Sequence, residues 1–264
     1  MRFSILSKNI MTTLVLAATL LTAGCTYNRA NPQDPYESYN RKVFKFNRGV
    51  DKVIYRPVAK VYSVVLPKFA RTGVSNFMSN VGEVGRFGNN ILQANFPWAF
   101  TTLSRFVINS TLGLAGLIDV ATSMGIEKHS QDFGLTLAKW GDRDSIYLML
   151  PFLPPSTVRD TIGLGGDYVM SPWTYVRPNW IGWTAYGVIV TDRRASYLDT
   201  DKLVDEAFDP YLFVRDAYLQ GRKAQIQKVL HPHADHASSG EISEEPPQDT
   251  EGAHETQGKI QPRG

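Results

Sequence analysis

Several features that define common enzyme classes are missing from this 264-residue chain. It has a single cysteine, so no disulfide within the chain holds the fold. The phosphate-binding motif GxxxxGK, the nucleophile motif GxSxG and the zinc motif HExxH are all absent. A tight run of Lys and Arg is also missing, and strict strand-type alternation is nearly absent. These absences argue against a nucleotide-driven machine, a typical serine hydrolase and a zinc protease, and they favour a helical fold.

The one cysteine, Cys25, ends an N-terminal apolar segment that carries Arg2 and Lys8 and no acidic residue. A positive start, an apolar run and then small residues is the order of an export signal. The segment resembles a bacterial lipoprotein signal, which implies cleavage before Cys25 and attachment of acyl chains to it. We therefore expect a signal peptide at residues 1–24 and a lipidated tether at 25–33. The alternative is a buried free cysteine in a cytosolic protein.

Charge is distributed unevenly along the chain. The formal net charge is +3, yet residues 231–264 hold seven acidic residues against Lys259 and Arg263, so residues 25–230 carry +6. A basic body suits an anionic membrane surface, and export argues against nucleic acid as a partner. Residues 231–264 are poor in large apolar side chains, and we expect a disordered tail. Its HPHADH segment is either solvated or a metal site, and the lack of an ordered scaffold favours the first.

Helical patterns run through residues 34–230, which we take as one domain. A DPY tripeptide at Asp34 predicts a helix with Asp34 as its N-cap, running to about Tyr55, and a second DPY at Asp209 opens a helix that ends before Pro232. Residues 147–150 allow one short strand. Further helices are predicted over residues 58–66, 68–94, 98–111, 117–124, 156–169 and 180–198.

Residues 145–191 are poor in charge and rich in aromatic side chains. They hold only four charged residues among 47, together with eight Trp, Tyr or Phe residues, a composition typical of the membrane interface. Two apolar segments, 106–126 and 178–191, are respectively too polar and too short to cross a bilayer. We therefore expect helices that lie within one leaflet. The alternative is that these segments form the core of an ordinary soluble helical protein.

Seven ordered blocks between about Asp34 and Gln220 together resemble the MlaA (VacJ) family of outer-membrane lipoproteins. They are DPYESYNRKVFKFN, YRPVAKVY, SNFMSNVGEVGRFGNNILQAN, SRFVINSTLGLAGLIDVA, DFGLTLAKWG, YLMLPFLPPSTVRDTIG and DPYLFVRDAYLQ. The resemblance implies an all-helical, ring-like domain in the periplasmic-side leaflet of the outer membrane, with an amphipathic passage at its centre. It also implies a role in lipid asymmetry, in which misplaced outer-leaflet phospholipid passes through the ring to a soluble periplasmic carrier. Trimeric porins are the expected neighbours.

A passage for phospholipid needs a polar lining inside apolar helix faces. Arg105 and Arg159 are candidates to meet a phosphate, and the alternative is that both are surface or ion-paired arginines. Phe46 and Asn47 match a Phe and Asn pair in the family's first helix, and the alternative for them is ordinary packing and capping. The full set of candidate lining residues is Phe46, Asn47, Asn89, Asn90, Arg105, Asn109, Ser110, Asp119 and Arg159.

Two other functions stay open beside a non-enzymatic lipid conduit. One is a structural lipoprotein that scaffolds porins, and the other is a lipid-anchored hydrolase. For a hydrolase, His129 is the one histidine outside the tail that offers a general base. We predict no catalytic residue, no metal and no cofactor.

Overall fold

The computed structural model describes residues 31–232. The predicted signal peptide at residues 1–24, Cys25, most of the tether and almost all of the tail lie outside the described residues. All helices and strands of the described part belong to one compact unit that ends at Leu230. The unit is mostly helical, which confirms the predicted fold class, and it also contains one small antiparallel hairpin.

The first three segments form one unbroken helical stretch. Helix α1 (Glu37–Val50) continues through a π-helical segment (Asp51–Tyr55) into α2 (Arg56–Val65). The predicted end near Tyr55 is therefore wrong, because the backbone widens there and does not stop. Leu66 and Pro67 are extended, and Pro67 is the N-cap position of the next helix, which begins at Lys68.

The remaining elements follow in chain order, and all predicted helices are present. They are α3 (Lys68–Leu92), α4 (Phe96–Thr111), α5 (Val120–Ser123), α6 (Phe133–Trp140), β1 (Tyr147–Met149), β2 (Pro155–Thr157), α7 (Val158–Met170), a 3-10 turn (Pro172–Thr174), α8 (Asn179–Ser196), a second 3-10 turn (Leu198–Thr200), α9 (Asp201–Glu206) and α10 (Pro210–Leu230). Helices α6 and α9 were not predicted. The allowance for a short strand is confirmed as β1, which pairs with β2.

The predicted N-cap at Asp34 is wrong. Helix α1 begins at Glu37 and its capping position is Tyr36, without a side-chain cap. Asp34 is instead fully buried, where it accepts a hydrogen bond from the Asn40 amide at 2.8 Å and another from the Tyr211 hydroxyl. Because these partners include a residue of α10, the Asp34 carboxylate joins the two ends of the domain.

Close packing of α6 against α7 depends on glycine. A Cβ on Gly163 would lie 2.6 Å from the backbone nitrogen of Gly134, and one on Gly166 would lie 2.3 Å from the Phe133 ring. Real Cβ atoms do not approach backbone or rings so closely, so larger residues would push the two helices apart. This contact fixes where the side chains of α7 lie relative to the loop before α6.

Two buried apolar clusters form the core, and α10 contributes to both. Tyr211 belongs to the first cluster, whereas Ile226 and Val229 belong to the second. The other members are Tyr39, Val43, Tyr147 and Met149 in the first, and Trp98, Leu135 and Ala138 in the second. The C-terminal helix therefore packs on α1, on the hairpin, on α4 and on α6.

Candidate functional site

Large apolar side chains lie exposed in rows on several helices. The clearest row is on α4, where residues at helical spacing share one face and Phe100 is 72% exposed. Soluble monomers rarely expose contiguous apolar patches of this kind, whereas interfacial membrane helices do. The rows are Val58, Val61, Val65 and Phe69 on α2 and α3, Phe96, Phe100, Leu103 and Val107 on α4, and Ile162, Val169, Trp180 and Trp183 on α7 and α8. Within residues 31–232, no helix combines the length and apolar character that crossing a membrane requires.

Helices α3, α7 and α8 enclose a cleft of about 380 Å³, which we call the α3/α8 cleft. Its lining is amphipathic. The Tyr168 and Tyr186 rings stack with centroids 6.4 Å apart, and charged side chains from α3, α7 and α8 share the same space. The lining residues are Gly82, Gly85, Arg86, Asn89, Gln131, Asp132, Leu164, Asp167, Tyr168, Ser171, Pro172, Trp173, Tyr186 and Arg193. A cleft with convergent polar groups beside apolar walls suits an amphipathic ligand.

The carboxylate of Asp167, in this cleft, has a perturbed proton affinity. Burial raises its pKa to about 6, outweighing the hydrogen bonds it accepts from the Phe133 amide at 2.8 Å and from Asn89 at 3.3 Å. The nearby charge of Asp132 raises the pKa further. Asp167 therefore gains a proton just below neutral pH.

The structure brings together three of the predicted lining residues, Arg105, Asn109 and Asp119. The Arg105 guanidinium donates to both carboxylate oxygens of Asp119 at 2.9 Å, and the Asn109 amide donates to the same group at 3.0 Å. Burial alone would raise the pKa of Asp119, but hydrogen bonds from Thr122 and Asn109 and the Arg105 charge lower it to about 2. Arg105 is 2% exposed and also contacts Glu83 and the Ile126 carbonyl. Arg105 is thus a buried, ion-paired arginine in this conformation.

Arg159 has a similar environment at the start of α7. It is 1% exposed and donates to Asp160 at 2.9 and 3.1 Å, and to the carbonyls of Asp142 and Arg143. Asp160 also accepts from Arg222 at 2.6 Å. Both arginines proposed to meet phosphate therefore have their donors directed at protein acceptors.

The predicted asparagines join helices. Asn90 donates to the Thr102 hydroxyl at 3.0 Å across α3 and α4. Asn89 accepts from the Thr136 hydroxyl at 2.8 Å and, of the predicted set, is the one that lines the α3/α8 cleft. Ser110 accepts from the Asn80 amide at 2.9 Å. These contacts make most of the predicted lining residues part of the polar interior.

Phe46 and Asn47 lie against the turn of the β-hairpin. The Asn47 amide donates to the carbonyls of Leu150 at 2.9 Å and Leu153 at 3.0 Å, and its oxygen accepts from the Phe152 amide at 2.8 Å. The Phe46 ring meets Phe152 edge-on, with centroids 5.1 Å apart. Phe152 has a φ of 65°, a left-handed conformation that costs a bulky residue strain and that these contacts hold in place.

Sequence reasoning missed the charged residues of the α3/α8 cleft, which are Arg86, Asp132, Asp167 and Arg193. A signal existed for the aromatic part, because residues 145–191 were singled out as rich in Trp and Tyr. No comparable signal marks Arg86 or Arg193. His129, considered as a general base, stacks on Trp98 with ring centroids 4.2 Å apart.

The fold and its surface define a mostly helical protein that exposes rows of large apolar side chains and buries many polar side chains beside its two apolar clusters. Comparison with known proteins identifies the family: a model of the MlaA lipoprotein family matches residues 32–225 of this chain. The chain belongs to the MlaA lipoprotein family.

Three relatives illustrate the range of similarity. The Escherichia coli protein "Intermembrane phospholipid transport system lipoprotein MlaA" is 36% identical over 220 residues, covering 80% of this chain and 86% of its own. The protein of the same name from Haemophilus influenzae is 32% identical over 231 residues, covering 83% and 91%. An uncharacterized protein of Rickettsia prowazekii is 36% identical over 196 residues, covering 74% and 78%.

A solved structure described as "Structural basis for maintenance of bacterial outer membrane lipid asymmetry" is similar in fold. It aligns with a TM-score of 0.63 at 35% identity, covering 73% of this chain and 98% of that chain.

Proposed function

We propose that this protein is an outer-membrane lipoprotein that lets misplaced outer-leaflet phospholipid pass through an amphipathic passage to a soluble periplasmic carrier. The observation that carries the proposal is the pairing of exposed apolar helix rows with the polar-and-aromatic α3/α8 cleft. A phospholipid that changes leaflets must shield its charged headgroup from hydrocarbon, and a cleft of this composition provides that shielding. The printed names of the E. coli and H. influenzae relatives describe phospholipid transport.

We also propose a location. Cys25 is the proposed lipid anchor, the domain is proposed to lie in the periplasmic-side leaflet of the outer membrane, and the exposed apolar rows support a position within one leaflet. Trimeric porins are the proposed neighbours in that membrane. Because the sequence has no nucleotide motif, the direction of transport must come from the carrier's affinity or from other machinery. The protein itself then performs no chemical step.

The test is genetic complementation combined with an assay of phospholipid in the outer leaflet. Deleting the gene should raise outer-leaflet phospholipid and sensitivity to detergent, and the wild-type gene should restore both. Gly85→Trp should fail to restore them, because Gly85 lines the cleft and an indole there would fill it. Gly187→Trp is the matched control, because a Cβ at Gly187 meets no atom within 4 Å and Gly187 lies outside the cleft lining.

Any one of four results would contradict the proposal. Unchanged lipid asymmetry in the deletion strain would remove the transport role, and porin capture without a lipid defect would favour the scaffold. Full complementation by Gly85→Trp would show that lipid does not pass through the cleft. Phospholipid hydrolysis by the purified protein that His129→Ala abolishes would instead favour the hydrolase.

A further inference from the structure

We propose that the α3/α8 cleft binds the phosphate group of an anionic glycerophospholipid and prefers it to a zwitterionic one, with Arg86 and Arg193 as the residues that contact the phosphate. This inference rests on the proposed transport function and adds a substrate preference to it. It also replaces Arg105 and Arg159 as the phosphate-binding candidates. Both of those arginines are buried with their donors directed at protein acceptors.

Several hydrogen-bond donors of the cleft lining have no acceptor within the described residues. Within the described residues, Arg193 has no carboxylate at ion-pair distance, although its side chain lines the cleft. The Tyr186 hydroxyl and the side-chain nitrogen of Gln131 are buried and find no hydrogen-bond partner in residues 31–232. Buried donors without acceptors are costly. A ligand rich in anionic oxygens supplies the kind of acceptor that this lining lacks.

The second cleft arginine, Arg86, lies in a group where cations outnumber carboxylates. It donates to Glu83 at 2.8 Å, but Glu83 also accepts from Arg105 at 3.5 Å. The Lys128 ammonium lies near Arg86, because both side chains donate to the hydroxyl of Ser79. Burial and the neighbouring Arg86 charge both lower the pKa of Lys128, as expected where positive charges crowd together.

The carboxylates of the lining do not cancel this excess. Asp132 is already paired with Arg222, at 2.6 and 2.7 Å. Among the lining residues within 31–232, Asp167 has no cation at ion-pair distance and Arg193 has no carboxylate; Lys128, which lies near Arg86 and outside the lining, also has no carboxylate at that distance. The field around Arg193, and around Arg86 with its neighbour Lys128, is therefore positive. It attracts a headgroup with net negative charge and repels the ammonium of phosphatidylethanolamine.

The remaining lining fits the rest of a lipid and not a free ion. Leu164, Trp173 and the stacked Tyr168 and Tyr186 rings lie beside the charged groups. Aromatic side chains with a polar edge suit the boundary between a headgroup and its acyl chains. The cleft therefore offers adjacent subsites for a phosphate and for the start of the hydrocarbon.

The experiment measures lipid binding by the purified, full-length, lipidated protein in detergent micelles. Trp173 is the reporter, and its signal is the difference in fluorescence between the wild type and Trp173→Phe. The micelles carry brominated phosphatidylglycerol or brominated phosphatidylethanolamine with identical acyl chains, because bromine quenches nearby tryptophan. We expect half-maximal quenching at a mole fraction of phosphatidylglycerol about tenfold lower than that of phosphatidylethanolamine. A factor of about ten is the size expected for interactions with charged groups. Arg86→Gln with Arg193→Gln should remove this difference. It should weaken quenching by phosphatidylglycerol more than quenching by phosphatidylethanolamine, whose phosphate the same arginines contact but whose ammonium they repel.

Matched controls separate the site from net charge. Arg143→Gln with Lys223→Gln removes the same two charges from exposed positions outside the cleft and should keep the preference. Added inorganic phosphate identifies the source of the phosphate: relief of quenching shows that the site also takes the free ion, and no relief shows that it needs the lipid. A rise in sodium chloride of equal ionic strength controls for screening.

The inference is overturned if both lipids quench Trp173 equally in the wild type, if neither quenches it, or if the preference survives in the double cleft variant. These outcomes are distinct from a failure of the proposed function. That function is judged by the complementation assay, and a normal lipid asymmetry after gene deletion would leave a phosphatidylglycerol site without a transport role.

Discussion

Replacing Asn47 with alanine should release the turn of the β-hairpin without unfolding the domain. The Asn47 side chain makes three hydrogen bonds to the backbone of Leu150, Phe152 and Leu153, at 2.8 to 3.0 Å. Each such bond contributes about 0.5 to 1.5 kcal/mol. The turn is largely exposed, so water replaces part of the lost hydrogen bonding. We therefore expect the free energy of opening the turn to fall by about 2 kcal/mol in total. That amounts to about a thirtyfold rise in the population of the open turn.

Hydrogen exchange measured by mass spectrometry checks this value. Amides of the hairpin, residues 147–157, should exchange about thirtyfold faster in Asn47→Ala, while those of α10 should not change. Asn47→Asp keeps the acceptor for Phe152 and loses the two donations, so its effect should be intermediate. Asn76→Ala is the matched control, because that amide makes one exposed bond to the Leu117 carbonyl at 3.1 Å. Less than a threefold change in Asn47→Ala would refute the view that Asn47 holds the turn.

Three further predictions concern stability and membrane attachment. Arg222→Gln should lower the free energy of unfolding by about 3 kcal/mol, since it leaves buried Asp160 without a charged partner from α10, and denaturant titration in detergent would show this. Asp167 has a folded-state pKa of about 6, above its unfolded value, so it stabilises the folded state below pH 4 and that contribution is lost as the pH rises to about 6. When the pH is raised from 4.5 to 7, the melting temperature of Asp167→Asn should therefore fall less than that of the wild type. The exposed control Asp144→Asn should behave like the wild type. Phe100→Ser should weaken flotation with vesicles by about 2 kcal/mol while the melting temperature stays unchanged, because the ring is 72% exposed.

Helical periodicity predicted most of the fold because most helices are long and amphipathic. The predicted range 68–94 corresponds to α3 (Lys68–Leu92), and 180–198 corresponds to α8 (Asn179–Ser196). Helix α6 was missed although both its end signals are present: Asp132 caps the Leu135 amide at 2.8 Å, and Gly141 follows the last turn with a φ of 131°. Eight residues are too few to show a clear apolar face. For this short helix, the capping residues at its two ends are a clearer sequence signal than the periodicity of its apolar residues.

Glycine spacing was a less reliable guide. Gly113 and Gly116 repeat the three-residue interval of Gly82, Gly85 and Gly88 on α3, which suggests one face of a helix, but α4 ends at Thr111 and both lie in the following turn. Gly116 has a φ of 95°, and a Cβ there would lie 2.6 Å from the Asn80 side chain. The interval of three residues therefore reflects a turn that needs glycine, and sequence spacing alone does not separate that case from helix packing.

The sequence predicted several of the interior polar residues as the lining of a passage, and it did not predict the partners to which they are hydrogen-bonded. The chain turns back after α4, and this turn brings Asp119 against Arg105 and Asn109. That arrangement depends on the tertiary fold. For a single arginine, the sequence shows a charge and not the carboxylate that neutralises it. Arg105 has Asp119 and Glu83, whereas Arg193 has no carboxylate partner in the described residues. That difference separates an interior arginine from one that is available to a ligand.

The two DPY tripeptides show how burial changes the meaning of one local motif. Asp209 caps α10 as predicted, accepting from the amides of Tyr211 at 3.0 Å and Leu212 at 3.2 Å, because it lies where its carboxylate can turn back on the helix. Asp34 carries the same local signal but is fully buried, and there a charge requires several partners from other elements. It takes Asn40 from α1 and Tyr211 and Arg215 from α10. The second DPY thus supplies, through Tyr211, a partner for the first. As a result, the start of the described part of the chain is tied to α10 through the Asp34 carboxylate.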